Sequence, residues 1–235
     1  MKKKMLIVLA ACLFMTGCGY EDILRSKGDK AIEHLEEKYG TEFTPFVYER
    51  ADFMSSTDEV RYYAEGIDES CEYGLVYVSK ENGKITYKDN YFAFTVREEC
   101  EELVQSYFAE EFDEVKVFAN NCKLLPEELK KGSTLEDALA CGSRLFSSFR
   151  VYVGTDITQE EFRERCEAVR LKLIDKGIYS AYYIYQIGIG VTQELTRANY
   201  LDYIDYYGHG DGVPCIKRYS WSILEGRENE EGEFD

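Results

Sequence analysis

Two histidines, His34 and His209, and a set of cysteines are the side chains of this sequence with the widest chemical reach. His209 lies in Gly208-His209-Gly210-Asp211-Gly212, six residues before Cys215. That neighbourhood raises the question of a Cys–His pair, in which the imidazole takes the proton of the thiol and leaves a nucleophilic thiolate. A general base must be held within hydrogen-bond reach of its proton donor, and glycines on both sides give His209 no local packing to hold it. The run therefore reads as a glycine turn joining two elements. His34 stands among Glu33, Glu36 and Glu37 on a helix whose core face is carried by Ile32 and Leu35, and reads as a solvated surface histidine.

Carboxylates are abundant, 45 in all, so local clusters arise without function. Asp58-Glu59, Asp68-Glu69 and Glu98-Glu99-Glu101-Glu102 do not match a calcium loop with alternating ligands, central glycine and terminal glutamate. There is no phosphate loop, dinucleotide fingerprint, Gly-x-Ser-x-Gly elbow or His-Glu-x-x-His. No catalytic, cofactor-binding or metal-binding set is assigned from the sequence. Cys71, Cys100, Cys122, Cys141, Cys166 and Cys215 form no Cys-x-x-Cys motif, and their even number in an exported chain permits up to three disulfides. Cys100 and Cys166 also fit as small buried residues on helix stripes. The 20 tyrosines, grouped as Tyr179/Tyr182/Tyr183/Tyr185 and Tyr200/Tyr203/Tyr206/Tyr207, suit either recognition surfaces or half-buried strands, whereas Trp221 reads as core.

The elements that must position these groups are read from periodicity and punctuation. A helix runs from Asp29 as N-cap through Ile32, Leu35 and Tyr39 to Gly40. Strands follow at Phe46–Tyr48, Val60–Tyr63 and Tyr73–Val78, and Asn82-Gly83 turns the last into Ile85–Tyr87 as a hairpin. Thr95-Val96-Arg97-Glu98 has the form of a capping box before a helix whose stripe is Cys100, Leu103, Val104 and Phe108. Val115–Phe118 is a strand, and a short helix spans Thr134 to Leu139. Phe149–Val153 is another strand, and Thr158-Gln159-Glu160-Glu161 opens a helix through Phe162, Cys166, Val169 and Leu173 to Gly177. Tyr179–Ile189 is apolar on both faces, as a central strand is. Gln193–Tyr207 allows a helical face, and Ile216–Leu224 closes the sheet. The fold class is α+β, helices packed on largely antiparallel sheets, in two similar sub-units. A first unit spans 29–125 and a second 126–225, and the acidic 226–235 reads as a disordered tail.

The N-terminus decides the destination. Lys2-Lys3-Lys4 precede an eleven-residue apolar run, Met5 to Met15, which has the length of a secretory signal core and is too short to span a bilayer. The run closes on Met15-Thr16-Gly17-Cys18, which resembles a bacterial lipobox, with Met15 where leucine is preferred. That resemblance implies removal of residues 1–17, fatty acylation of Cys18 as the mature N-terminus, and a tether over 18–28. Ala31-Ile32-Glu33-His34-Leu35-Glu36-Glu37-Lys38-Tyr39-Gly40 and Lys88-Asp89-Asn90-Tyr91 resemble segments of small lipoproteins from Gram-positive intestinal bacteria. The likeness implies a lipid-anchored protein on the extracytoplasmic face of the cell membrane and brings no functional residues with it.

Loss of the three signal lysines leaves 25 basic against 45 acidic side chains, a balance of −20. Nucleic acid and anionic lipid are repelled by such a surface, so the expected contacts are the membrane through the lipid and an extracellular protein or ligand. The expected function is that of a non-enzymatic binding or interaction module. Its alternatives are an exported hydrolase using carboxylates or the Cys215/His209 pair, and an immunity or inhibitor lipoprotein for a basic partner. Substitution Cys18→Ala is expected to abolish labelling by a fatty-acid analogue and release the protein from the membrane fraction; unchanged labelling would exclude Cys18 as the acylated residue.

Overall fold

The computed structural model describes residues 27–51, 57–125, 127–202, 204–205, 213–223 and 231–234, of which 204–205, 213–214 and 231–234 by backbone alone. The chain divides between Asp89 and Asn90 into two units. The expected boundary near residue 125 is thereby corrected. Strands on either side of that point, Glu114–Cys122 and Phe146–Gly154, pair antiparallel along their whole length and share one sheet.

The first unit is a helix followed by a meander. Helix α1 covers residues 27–39 and strands β1 (Phe43–Glu49), β2 (Asp58–Ala64), β3 (Gly74–Glu81) and β4 (Lys84–Asp89) form an antiparallel sheet in chain order. Lys27 and Gly28 are already helical, so Asp29 lies within the helix instead of capping it, and 27–28 belong to the helix rather than to the expected tether. Gly40 ends the helix as expected, at φ 66°, with its N–H donating to the Glu36 carbonyl at 2.7 Å. The β3–β4 turn carries Asn82 and Gly83 at φ 50° and 81°, the pair of positive values a two-residue hairpin demands.

Helix α1 closes one face of this sheet with Ala31, Ile32, Leu35 and Tyr39 over Phe43, Val60, Tyr62, Val76 and Val78. Registration comes from matched spacings. Four helical residues advance about 6 Å and two strand residues about 6.6 Å, so two side chains one turn apart meet alternate residues of one strand. His34 stacks on Tyr87, ring centroids 4.3 Å apart, and Lys38 reaches Asp89 at 2.8 Å. Gly28 lies where an added Cβ would fall 1.5 Å from the Tyr48 ring, so glycine lets α1 sit closely on β1 there.

The second unit builds on a five-stranded sheet in the order β11-β10-β7-β6-β5. Its elements are α2 (Tyr91–Thr95), α3 (Arg97–Ala109), β5 (Glu114–Cys122), α4 (Leu135–Ala140), β6 (Phe146–Gly154), α5 (Gln159–Asp175), β7 (Ser180–Ile187), β8 (Ile204–Asp205), β9 (Val213–Pro214), β10 (Lys217–Ile223) and β11 (Glu231–Phe234). Every pair in this sheet is antiparallel except β6/β7, which helix α5 connects as a crossover. Both units thus follow one α+β plan, a helix leading into antiparallel strands, to which the second adds α5 and its parallel pair.

Several local expectations change. Thr95 does not cap α3: it ends α2 and donates its hydroxyl back to the Phe92 carbonyl at 2.8 Å, leaving Val96 as the cap residue. Leu103 is half-buried, while Cys100, Val104 and Phe108 are buried. Residues 191–202 form a 3₁₀ helix followed by hydrogen-bonded turns, with Leu201 46% exposed, instead of an amphipathic helix. Within the acidic C-terminal segment, Glu231–Phe234 pairs with β10 as an edge strand, where composition predicts disorder. No disulfide joins the six cysteines: Cys100 and Cys166 are buried in their helix faces, Cys122 and Cys215 are half-buried, and Cys71 and Cys141 are exposed. Among the described residues no helix is long and apolar enough to cross a membrane.

The stripe of α3 meets the sheet through aromatic contacts, Phe108 stacking on Trp221 at 6.4 Å. Truncation Phe108→Ala is expected to cost roughly 3–5 kcal/mol, and Leu103→Ala less than half as much, measured by urea unfolding. Equal losses would place Leu103 in the core after all.

Candidate functional site: an aromatic sheet face

Among the first unit's described residues, a helix covers one face of the sheet only. On the other, β1 carries an irregularity: pairing with β2 shifts between Pro45 and Val47, so Phe46 is an extra residue in the ladder. A bulge of this kind re-aims side chains. Phe46 and Val47 both fall on the uncovered side, and Tyr48 returns to the inner face against α1. Pro45 is tolerated because β1 is an edge strand.

Phe46 is 44% exposed and stacks on Tyr63 with ring centroids 4.3 Å apart and planes 9° from parallel. Tyr73, 42% exposed, meets Phe46 edge-on at 6.0 Å. The Arg61 guanidinium lies 5.3 Å from the Tyr73 ring centre and is tied to Glu59 at 2.8 Å and Glu49 at 2.9 Å. Tyr77 stands opposite Glu59 in the β2/β3 ladder, and burial followed by that carboxylate pushes its hydroxyl above the usual value. Beside the stack, Thr41, Glu42, Thr44, Tyr63, Ala64, Glu65 and Glu69 line an open cavity of about 560 Å³. Three stacked or crossed rings, one guanidinium and a rim of carboxylates make a surface able to hold apolar stems and cations; it contains no nucleophile with a base.

The residues singled out from the sequence fall elsewhere. Cys18 and His209 lie outside the described residues. Cys215 sits between β9 and β10, half-buried against the cluster of Phe118, Tyr152, Tyr185, Ile187, Leu195 and Tyr200. Its S–H donates to the Lys217 carbonyl at 3.1 Å, and burial pushes the thiol up to about 11, the opposite of what a nucleophile requires. His34 is half-buried on Tyr87 instead of solvated, because its helix position faces β4. Asp58 caps the Ala51 N–H at 2.9 Å and pairs with Lys27 at 3.2 Å, and Asp68 binds its own turn through Ser70. Among the described residues no three His, Cys, Asp or Glu gather as a metal site.

The tyrosine groups divide by face. Tyr182 and Tyr185 are core residues of β7, Tyr200 stacks on Phe118 at 4.4 Å, and Trp221 is buried as expected. Among the described residues the exposed rings are Phe46 and Tyr73, with half-buried Tyr63 stacked between sheet and Phe46, and none of the three stands out in the sequence as a site residue. A proline beside an aromatic at the head of an edge strand is the available signal, and it does not reveal where the bulge falls.

A second polar constellation guards the second unit. Glu101 on α3 accepts the Ala119 N–H at 2.6 Å and pairs with Arg197, which donates to the Ala119 carbonyl at 3.0 Å. Burial pushes the Glu101 carboxyl up against the opposing pull of Arg197 and the Ala119 N–H. Since β5 is a sheet edge, these two side chains occupy backbone groups that would otherwise pair with another strand.

No family model and no curated protein matches the chain. A solved structure of a DUF5037 family protein from Ruminococcus gnavus is similar over 70% of this chain and 76% of that chain, with 15% identity and a TM-score of 0.39. At neutral pH Cys215 is expected to react with iodoacetamide more slowly than exposed Cys141, since a thiol near 11 is only about 0.01% ionised at pH 7. A fast Cys215 slowed by His209→Ala would restore the Cys–His pair.

Proposed function

We propose that this protein is an exported lipoprotein, held by Cys18 on the extracytoplasmic face of the membrane, that acts as a non-enzymatic binding module. The contact surface is the uncovered face of β1–β3 around Phe46, Tyr63 and Tyr73. The observation that carries this reading is the bulge in β1, which sets an exposed ring stack on a sheet face that α1 does not cover. Aromatic residues and arginine are the side chains enriched in interface cores, where rings supply large contact area at low conformational cost. Lys27 follows Cys18 by nine positions, a reach of at most about 32 Å, so the tether keeps the first unit near the bilayer.

The exported-hydrolase alternative in its Cys215/His209 form needs an activated nucleophile, and the raised Cys215 thiol speaks against that form. Position-specific photo-crosslinking in intact cells tests the binding face. A crosslinking residue at Phe46 is expected to give a discrete adduct that the same residue at Ile189, also exposed at 68%, does not give. The same pattern at both positions would reject the face as a contact surface.

A further inference from the structure

We infer that the partner of the Phe46–Tyr63–Tyr73 face is a basic polypeptide segment, its lysine or arginine stems lying over the rings and their charged ends reaching the surrounding carboxylates; this rests on the binding-module reading above. The face already holds one such guest of its own. Arg61 lies over Tyr73 between Glu49 and Glu59, both within salt-bridge distance, and so shows the geometry in which this surface receives a guanidinium. Ring and carboxylate act together there, since a cation gains from the π face and from the acid at once.

Charge decides the class of partner. Glu49 and Glu59 flank the rings on one side, and Glu42, Glu65 and Glu69 line the cavity that shares Tyr63 with the stack. Arg61 is shared between Glu49 and Glu59, and Glu42 and Glu69 add two further carboxylates beside the stack, within a mature chain carrying −20 overall. Such a surface steers positively charged partners toward it and repels nucleic acid, anionic lipid and acidic peptides. A cavity of about 560 Å³ beside the stack falls in the size range of small-ligand pockets and has room for long side chains. Among the described residues no metal-binding group forms, which favours an organic cation over a divalent ion.

The test is fluorescence anisotropy on the full chain in detergent, with four probes: labelled twelve-residue peptides of alternating lysine and alanine, arginine and alanine, or glutamate and alanine, and a labelled neutral glucose hexasaccharide. Both basic peptides are expected to bind and the other two not. Phe46→Ala and the pair Glu42→Gln/Glu69→Gln should each weaken binding at least about fivefold, whereas Glu160→Gln/Glu164→Gln on α5, an equal change of charge, should alter it less than about twofold. Equal weakening by the α5 pair would mean diffuse attraction to an acidic protein and overturn the proposal, as would absence of basic-peptide binding or preference for the hexasaccharide. A crosslinked partner at Phe46 together with no basic-peptide binding would sink this inference and leave the binding-module reading standing; failure of both would remove the two together.

Discussion

Asp89, at the end of β4 and 1% exposed, is the carboxylate on which the first unit turns. It accepts the Tyr39 hydroxyl at 2.8 Å and pairs with Lys38 at 2.8 Å, so its two oxygens are used by consecutive residues of the last turn of α1. Burying a charge costs several kcal/mol unless it is paired, and removing one partner leaves the other stranded. A cation at a helix C-terminus is also favoured by the helix dipole. The contact therefore fixes where α1 ends on the sheet, with His34 on Tyr87 one turn earlier setting its direction along β4. With α1 locked on the inner face, no helix among the first unit's described residues lies over the aromatic residues of the other face.

The second unit handles the same problem differently. Its sheet carries α3 and α5 on one side, through Phe108, Phe162, Val169 and Leu173, and the 188–202 segment on the other, through Leu195 and Tyr200. Gly190, at φ 87°, donates its N–H to Glu114 at 2.6 Å, and Thr192 reaches the same carboxylate at 3.3 Å, which ties that segment to β5. Tyr152 donates its buried hydroxyl to the Tyr200 carbonyl at 2.7 Å. The tyrosines of β6 and β7 are thereby consumed in packing and hydrogen bonding. Glu101 and Arg197 finish the arrangement at the β5 edge, a use of charged side chains to block strand addition rather than to do chemistry.

Tyrosine abundance, in consequence, does not identify a recognition surface. Among the described residues, rings of the same kind are core where two layers enclose the sheet and stay partly exposed where one layer does. Cysteine behaves alike: Cys100 and Cys166 are buried small residues whose thiols burial pushes up, Cys100 to about 12, so an even number of cysteines does not dictate cross-links.

The sequence by itself determined the secondary elements wherever local physics was sufficient: the Asn82-Gly83 hairpin, the Gly40 stop, the stripe of α5 and the central strand β7, and with them the α+β class. Periodicity is a local property, and those elements are held by side chains within a turn or two. Where a local signal competes with a longer contact it misled, as at Thr95, whose hydroxyl serves the preceding turn, and at His34, whose helix face is decided by β4. The division at Asp89/Asn90 escaped the sequence because β5 and β6 pair across a connection of more than twenty residues, and only pairing tells which strands share a sheet. The exposed ring stack was equally out of reach. Alternation predicts Phe46 and Tyr48 on one face, and a single extra residue in the ladder, visible only once β1 lies against β2, sends them to opposite sides.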